Sequence, residues 1–463
     1  MLWFRTPNEV RKPKAAPPAD VVKNTSATTV GHPVFAQPEP TRDPAKFEIK
    51  HPSDAPLYKK IDELNRRHKL APLPFPAPRG LPEPRLTLAA VLGTSEAALQ
   101  KRINGYGQIV FHAAGDTGST RGPESQCLVA DKMANDFTDV ETERPAFLFH
   151  LGDVIYSFGE ARYYYDQFYE PYRDYPAPIL AIAGNHDGMV PPETTAETLG
   201  AFLENFCASD FEVVPEAGGL SRTAQIQPGV FYTLEAPFVR ILALYSNVLE
   251  DPGVIADEHI GDSQLSYLKT ALERVKSDGF KGAVILAHHH PAYTAGTKHG
   301  WSQKMVSQID TICNKVGVWP HAVLSGHAHN FQRFTRLHGD CEIPYIICGN
   351  GGHGLAKLRQ KGTSALRTPQ PIEIPPGADK VILENYDDED FGYLRVIVTP
   401  TQLRVEYHPQ ATALEPKRRT TLSPSTWPNA NLSYFHRRIE GAPAAPLSRA
   451  FRPPLRGPPK SVR

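Results

Sequence analysis

The chain has 463 residues, among them 50 lysines and arginines, 50 aspartates and glutamates, and five cysteines. This length accommodates two or three average domains, or one large α/β domain with extensions. The balanced global charge indicates no class of partner. An odd number of cysteines without a CxxC pair argues against a disulfide scaffold and favours reduced, mostly buried thiols.

Both ends of the chain differ from its middle in charge and in proline content. Residues 1–90 carry 15 basic and 9 acidic side chains with 16 prolines, and residues 415–463 carry 10 basic and 2 acidic side chains. Proline at this density favours extended or unstructured chain. We therefore predict a Pro-rich, partly disordered extension over 1–90, a folded domain over 91–412 and a basic, Pro-rich tail over 413–463.

The N-terminal segment MLWFRTPNEVRKPK has no apolar core of signal-peptide length. No window of the sequence approaches the length and apolar character of a membrane span. We therefore predict a cytoplasmic protein without a membrane span. A basic tail can hold nucleic acid, although a solvated tail is the simpler interpretation.

From about residue 105 onward, short apolar runs of strand length alternate with helical patterns. The runs are QIVFHAAGD (108–116), AFLFHLGD (146–153), PILAIAGNHD (178–187), RILALYSN (240–247), GAVILAHHH (282–290), HAVLSGHAH (321–329) and PYIICGNGG (344–352). Continuous hydrophobicity predicts strands covered on both faces. Helical spacing at 124–136 and 261–275 and a hairpin pattern at 390–408 complete the prediction of an α/β sheet with an antiparallel end.

Five of the predicted strand ends carry side chains that can bind metal ions. They are Asp116, Asp153, Asn185 with His186, His288 to His290, and His327 with His329. Open α/β sheets place ligands beyond the carboxyl ends of their strands. A single Gly-Asp is a common turn, and a single histidine there is most often a hydrogen-bonded polar residue. Five such ends in one chain favour a site for two small divalent or trivalent ions.

Five blocks in chain order carry a resemblance to a known family. They are GDTG (115–118), GDVIY (152–156), GNHD (184–187), LAHHHP (286–291) and GHAH (326–329). They resemble the motifs of the calcineurin-like metallophosphoesterases and are most similar to the purple acid phosphatase branch, over about residues 105–410. The resemblance implies a four-layer α/β/β/α sandwich of two mixed sheets. It also implies an enzyme that hydrolyses a small phosphate ester with a metal-activated hydroxide.

The resemblance assigns a ligand role to seven residues. Asp153 would bridge the two ions, Asp116, Tyr156 and His329 would hold the first ion, and Asn185, His289 and His327 would hold the second. His289 is chosen from the three histidines because the family's ligand lies two residues before a proline, here Pro291. For His288 we predict core packing and for His290 a supporting hydrogen bond.

Tyr156 enters this set because of the residue at position 118. Most members of the superfamily have a histidine two residues after the first aspartate, where this chain has Gly118. The purple acid phosphatase branch instead supplies a tyrosine three residues after the bridging aspartate, which corresponds to Tyr156. The simpler interpretation of Tyr156 is a buried aromatic residue with a bonded hydroxyl.

Three further residues are candidates for catalysis. His186 lies beside the proposed ligand Asn185 and could protonate the leaving group, with Asp187 fixing its tautomer. His299 matches a family histidine that contacts the substrate phosphate or the leaving group. The implied cofactors are two metal ions, iron plus a divalent ion. In a reducing cytosol, ferrous iron, manganese or zinc could occupy the same positions.

Other features and functions stay open at this point. The aromatic segment 163–176 is predicted to be a helix packed on the core, and the GNGGHG segment (349–354) is not expected to bind a nucleotide, which leaves His353 without a role. A phosphodiesterase acting on nucleotides or nucleic acid is an alternative that the basic tail would suit. A catalytically silent metal-binding scaffold is a second alternative, although the complete ligand set argues against it.

Overall fold

The computed structural model of the chain describes residues 63–64, 74–120, 122–190, 197–246, 253–296, 299–358, 365–375, 378–411 and 434–438. Within these residues the chain forms two mixed β-sheets that pack face to face, with helices on their outer faces. The predicted four-layer α/β/β/α sandwich is therefore confirmed.

The strands are numbered in chain order over the described residues. They are β1 (Arg85–Thr87), β2 (Ile109–Ala114), β3 (Leu148–His150), β4 (Ile179–Ala181), β5 (Tyr232–Ala236), β6 (Val239–Ala243), β7 (Ala283–Ala287), β8 (Ala322–Ser325), β9 (Phe331–His338), β10 (Cys341–Cys348), β11 (Gln370–Pro371), β12 (Lys380–Asp387), β13 (Phe391–Val398), β14 (Gln402–Gln410) and β15 (Tyr434–Arg438). Each apolar run that the sequence analysis singled out overlaps one of these strands.

The strands divide into a nine-stranded and a six-stranded sheet. Their orders are β1-β5-β6-β7-β8-β10-β9-β12-β11 and β15-β14-β13-β2-β3-β4. The strands β6, β7, β8 and β10 run parallel, and so do β2, β3 and β4. Antiparallel strands complete both sheets, including the predicted hairpin of β13 and β14. Because parallel strands end at the same edge of a sheet, each sheet gathers its strand-end side chains in one place.

The helices of the described residues are α1 (Leu88–Val91), α2 (Glu96–Tyr106), α3 (Glu124–Ala134), α4 (Asn185–Gly188), α5 (Gly200–Phe206), α6 (Ser263–Ser277) and α7 (Gln303–Val316). In α6 the predicted apolar face is buried through Leu268, Leu272 and Val275. In α7 the Ser302 hydroxyl caps the first turn by accepting a hydrogen bond from the Met305 amide. None of these helices combines the length and apolar character needed to cross a membrane.

Two hydrophobic cores result from the alternation of side chains along the strands. The core between the sheets contains Phe111 of β2 and Ile285 of β7, and the stacked rings of Phe331 and Tyr407 join β9 of one sheet to β14 of the other. Intervening strand residues such as Leu286 belong to the outer core with the buried faces of the helices. Strands that bury both faces explain the continuous hydrophobicity of the sequence.

Strands pair with the sheets on the outer side of both predicted domain boundaries. In the segment assigned to the N-terminal extension, β1 pairs with β5, and the Arg79 guanidinium donates to the carbonyls of Cys207, Ala208 and Gln227. In the segment assigned to the tail, β15 pairs with β14. Prolines beside β1 are tolerated because β1 is an edge strand, where missing amide donors cost little.

The remaining parts of the predicted extension and tail lie outside the described residues. The basic residues from 413 onward belong mostly to this part of the chain. Contact of the tail with nucleic acid therefore stays a prediction.

Candidate metal centre

The predicted ligands come from two sheets, and the two sheets supply different donor atoms. The carboxylates and the amide follow strands of the six-stranded sheet: Asp116 after β2, Asp153 after β3 and Asn185 after β4. The imidazoles follow strands of the nine-stranded sheet: His289 after β7, and His327 and His329 after β8. All of these side chains are buried. The two sheet edges therefore meet at one interior cluster.

The donor atoms form two overlapping groups in the described residues. The first group contains Asp116, Asp153 and His329, and the second contains Asp153, His289 and His327, with the donor atoms of each group within 4.8 Å of one another. Asp153 belongs to both groups. Mixed carboxylate and imidazole donors suit zinc, iron or manganese.

The first group converges on the hydroxyl of Tyr156. The hydroxyl oxygen lies 2.9 Å from Asp153 Oδ2, 3.1 Å from Asp116 Oδ1 and 3.3 Å from His329 Nε2. One hydroxyl proton can serve only one of the two carboxylates. Burial, together with the charge of Asp153, raises the pKa of Asp116 to about 8. A second negative charge is thus disfavoured beside Asp153, and a bound cation would offset that penalty.

Each carboxylate is oriented by one main-chain amide. The His327 N–H donates to Asp116 Oδ2 at 2.7 Å, and the His186 N–H donates to Asp153 Oδ1 at 2.9 Å. The other oxygen of each carboxylate is the one that faces Tyr156. The amides therefore leave one oxygen of each side chain directed at the cluster.

The second group converges on the amide oxygen of Asn185. Asn185 Oδ1 lies 3.2 Å from His289 Nε2 and 3.1 Å from His327 Nδ1, and Asp153 Oδ2 lies 3.2 Å from the same His289 nitrogen. Burial alone lowers the pKa of His289, but the charges of Asp153 and Asp116 outweigh it and raise this pKa to about 9. The imidazole thus sits where positive charge is favoured.

Main-chain carbonyls fix the tautomers of the histidine run. His289 Nδ1 lies 2.8 Å from the Leu151 carbonyl, which can only accept, so Nδ1 carries a proton and Nε2 is the nitrogen directed at the cluster. His288 instead donates from Nδ1 to the His290 carbonyl at 2.6 Å, and His290 Nδ1 pairs with the Ser246 hydroxyl at 2.8 Å. Of the three, His289 is the histidine in the donor groups.

Four of the predicted ligands have left-handed backbone conformations. The φ values are 56° at Asp116, 54° at Asp153, 67° at His327 and 50° at His329. Residues with a Cβ rarely adopt positive φ, and such strain is concentrated at functional sites. Nothing in the sequence predicted this conformation, because aspartate and histidine only mildly favour it.

Two of the catalytic candidates, His186 and His299, lie beside the cluster. The His186 ring lies 4.3 Å from the Tyr156 ring, and the His299 ring lies 4.6 Å from that of His327. His186 Nδ1 lies 2.7 Å from the Ser157 carbonyl, which accepts its proton and fixes the tautomer. The partner of Nδ1 is thus the Ser157 carbonyl, and the tautomer role of Asp187 stays a prediction.

Asp187 connects two of the motif turns. Its carboxylate accepts hydrogen bonds from the main-chain amides of Gly184, Val154 and Ile155, at 2.8, 3.0 and 3.3 Å. These amides belong to the turns that carry Asn185 and Asp153. Hydrogen bonds from main-chain amides stabilise the charged form of a buried carboxylate.

Two residues in contact with Tyr156 had no role in the sequence analysis. His353 stacks on its ring with the centroids 3.5 Å apart, and Gln167 bonds to its main chain. A signal for His353 existed, because the GNGGHG segment leaves β10, which lies next to β8 and parallel to it. No comparable signal pointed to Gln167, since it lies in the aromatic segment that was predicted to pack on the core. That segment forms a 3₁₀ turn (Ala161–Tyr163) and a π-helix (Tyr165–Tyr169) rather than the predicted helix, although six of its seven rings are buried and that of Tyr165 is half-buried.

The described residues form a two-sheet α/β sandwich with a candidate metal-binding cluster at its strand ends. Residues 111–331 match the calcineurin-like phosphoesterase family, so this part of the chain is a calcineurin-like phosphoesterase domain. The chain is accordingly a metal-dependent phosphoesterase, a hydrolase of phosphate esters. The family implies bound metal ions, and the two donor groups are candidate positions for them.

Two further comparisons complete the findings. Among solved structures, "Structure of PhoD" superposes with a TM-score of 0.38 and 15% sequence identity, covering 73% of this chain and 72% of that chain. No curated protein matches the chain.

Proposed function

We propose that the chain is a dinuclear phosphoesterase in which His186 assists the departure of the leaving group. The observation that supports two ions is the position of Asp153, which belongs to both donor groups. A carboxylate has two oxygens and can serve two ions, so one shared aspartate joins two sites into one centre. Two isolated single-ion sites would not need a common ligand.

The proposed ligands divide between the ions as the resemblance implies. Asp116, Tyr156 and His329 would hold the first ion, Asn185, His289 and His327 the second, and Asp153 both. When bound, such a pair of ions supplies a hydroxide near neutral pH and positive charge for the phosphoryl oxygens. Neutral donors at Asn185 and the histidines limit the negative charge that the chain gives to the ions.

His186 is the proposed proton carrier for the leaving group. Its Nδ1–H donates to the Ser157 carbonyl, so its Nε2 is the nitrogen that can hold and transfer a proton. His186 directly follows Asn185, and its main-chain amide holds Asp153. His299, whose ring contacts those of His327 and His329, is placed to contact the phosphate.

We propose a ligand set of the purple acid phosphatase type, with iron and a second ion of iron, manganese or zinc. The position of the Tyr156 hydroxyl between two carboxylates supports it. Burial and the two carboxylates raise the pKa of Tyr156 well above its usual value, so the phenol needs a cation beside it to lose its proton. The cytoplasmic location stays a prediction.

Metal analysis and visible absorption of the protein purified in air test this proposal directly. We expect two ions per chain, a visible band if ferric iron binds Tyr156, and hydrolysis across a panel of phosphomonoesters and phosphodiesters. A protein that binds fewer than two ions at saturation contradicts the dinuclear centre. A protein that binds both ions yet hydrolyses no ester supports the scaffold alternative instead.

A further inference from the structure

The main chain of Tyr156 is clamped by one buried side chain. Gln167 Oε1 accepts from the Tyr156 N–H at 2.8 Å, and Gln167 Nε2 donates to the Tyr156 carbonyl at 2.8 Å. Gln126 in turn donates from Nε2 to the Gln167 carbonyl at 2.6 Å and to the Thr117 hydroxyl at 3.2 Å. A carboxamide that meets both polar groups of one residue replaces the pairing that a neighbouring strand would give. It therefore fixes the main chain of Tyr156.

Gln167 occupies space that a side chain at position 118 would need. A Cβ added to Gly118 would lie 2.5 Å from Gln167 Oε1, 2.5 Å from the Val154 carbonyl oxygen and 2.9 Å from the Ile155 Cα. Two of these three atoms belong to the main chain and cannot rotate away. The position where most of the superfamily carries a histidine is thus closed to any side chain here, and the clamp on Tyr156 fills it.

The ring of Tyr156 is held by His353. The two rings are stacked, with an interplanar angle of 16° and centroids 3.5 Å apart. His353 Nδ1–H donates to the Gly118 carbonyl at 2.8 Å, and its main-chain N–H donates to the Asp116 carbonyl at 2.9 Å. The histidine is therefore fixed to the first motif turn while its ring sets the plane of the tyrosine.

The glycine-rich exit of β10 allows this approach. The Gly351 N–H donates to the Gly115 carbonyl at 3.0 Å. A Cβ at Gly352 would lie 2.8 Å from the Thr117 carbonyl oxygen, and the φ of Gly352 is 154°. The GNGGHG segment thus lies directly against the first motif turn. This close approach of two main chains accounts for its glycines, so nucleotide binding is not needed to explain them.

We propose that Gln167 and His353 are positioning residues for Tyr156, and that with Gly118 they form one unit that replaces the missing histidine ligand. Gln167 fixes the main chain and His353 fixes the ring, so the hydroxyl is directed between Asp116 and Asp153. Ligands held by such supporting contacts typically lose 10- to 100-fold in metal affinity when the support is removed. The inference rests on the proposed function in one respect, that Tyr156 binds the first ion.

The test follows the release of the ions that the full-length protein carries as purified, in excess EDTA, by metal analysis over time. We expect His353→Leu and Gln167→Leu each to shorten the half-time of release, measured for whichever ion leaves earlier, by about ten-fold. His353→Phe keeps the stacking and should shorten this half-time by about two- to three-fold. His408→Leu is the matched control. His408 is stacked on Tyr393 in the β13–β14 hairpin, and its loss should leave the half-time unchanged.

Double variants separate positioning from general destabilisation. If His353 acts through Tyr156, then His353→Leu should have no further effect on release in a Tyr156→Phe background. The same ten-fold effect in both backgrounds overturns the inference. Circular dichroism checks that each variant folds. If the leucine variants do not fold, the milder single variants His353→Phe and Gln167→Glu replace them in the same measurement.

The outcomes also distinguish this inference from the proposed function. If Tyr156→Phe releases both ions as slowly as the unmodified protein and keeps its visible spectrum, Tyr156 is not a ligand and both proposals fail. If Tyr156→Phe accelerates release while the His353 and Gln167 variants do not, only the positioning role is overturned.

Discussion

The two sheets contribute unequal halves of the candidate metal centre. The six-stranded sheet supplies the oxygen donors Asp116, Asp153, Tyr156 and Asn185, and the nine-stranded sheet supplies the imidazoles of His289, His327 and His329. The oxygen half is short of positive charge, as the raised pKa of Asp116 indicates. In the imidazole half, the charges of Asp153 and Asp116 raise the pKa of His289 to about 9, so positive charge is favoured there. Neither sheet alone makes a site. Substitution of the shared Asp153 should therefore lower metal content and activity more than substitution of any single histidine.

The largest expected effect is that of Asp153→Asn. The substitution keeps the shape but removes the charge that both ions share. We expect the loss of at least one ion and a fall in kcat/KM on the order of 10³-fold. Metal analysis and phosphatase assays check this. Asp278→Asn, which removes a carboxylate paired with Arg240 and Arg274 elsewhere in the domain, is the control. Retention of both ions with full activity would remove the reason for a dinuclear centre.

Substitution of two adjacent histidines, His289 and His288, tests the imidazole half of the candidate centre. His289→Asn should lose the second ion and lower kcat/KM on the order of 10²-fold, because the remaining donors no longer complete that position. His288→Asn should keep both ions, since His288 donates to the His290 carbonyl rather than facing the cluster. Metal content per folded chain is the measurement. The reverse result would mean that the wrong histidine of the run was chosen.

The role of His186 separates chemistry from metal binding. His186→Ala should keep both ions and lower kcat by about 10²-fold on alkyl phosphates, whose leaving groups need a proton. On 4-nitrophenyl phosphate, whose leaving group is stable as an anion, we expect a change of about three-fold or less. Equal losses on both substrates would argue against proton transfer to the leaving group. His259→Ala, at an exposed position, is the control.

The smallest expected effect concerns the far edge of the nine-stranded sheet. The Glu83 carboxylate, next to β1, accepts from Arg274 at 2.6 and 2.7 Å and from the Thr233 hydroxyl at 3.0 Å. Glu83→Gln should lower the free energy of unfolding by about 1–3 kcal/mol, as measured in urea, and leave metal content unchanged. Glu273→Gln, in an exposed pair with Lys269 on the same helix as Arg274, should change it by about 0.5 kcal/mol or less. Loss of an ion in Glu83→Gln would show that the sheet edge and the site are coupled.

The sequence predicted those parts of the molecule that local patterns specify. Continuous apolar runs located the strands that carry Asp116, Asp153 and His289, and the helical spacing of α6 was equally clear. The division of these strands between two sheets came from the family resemblance, because strand pairing depends on contacts far apart in the chain. The strand β1 was missed because three residues beside several prolines carry no periodicity.

The contacts of each side chain were harder to predict from the sequence than which residues lie in the cluster. Asp187 was assigned to His186 because the two are adjacent in sequence, but its carboxylate accepts hydrogen bonds from the main-chain amides of Val154 and Gly184. His353 and Gln167 reach Tyr156 across 197 and 11 positions of sequence, so no local pattern could connect them. The positive φ values are imposed by tertiary contacts.

The hydrogen bond from the His327 amide to Asp116 has a consequence for the order of assembly during folding. It joins a residue after β8 of one sheet to a residue after β2 of the other. A chain in which only one sheet has formed therefore offers carboxylates without imidazoles, or imidazoles without carboxylates. Nascent or partly folded chains would then capture metal poorly and hydrolyse nothing. We therefore expect metal ions to bind only after both sheets of the domain have formed.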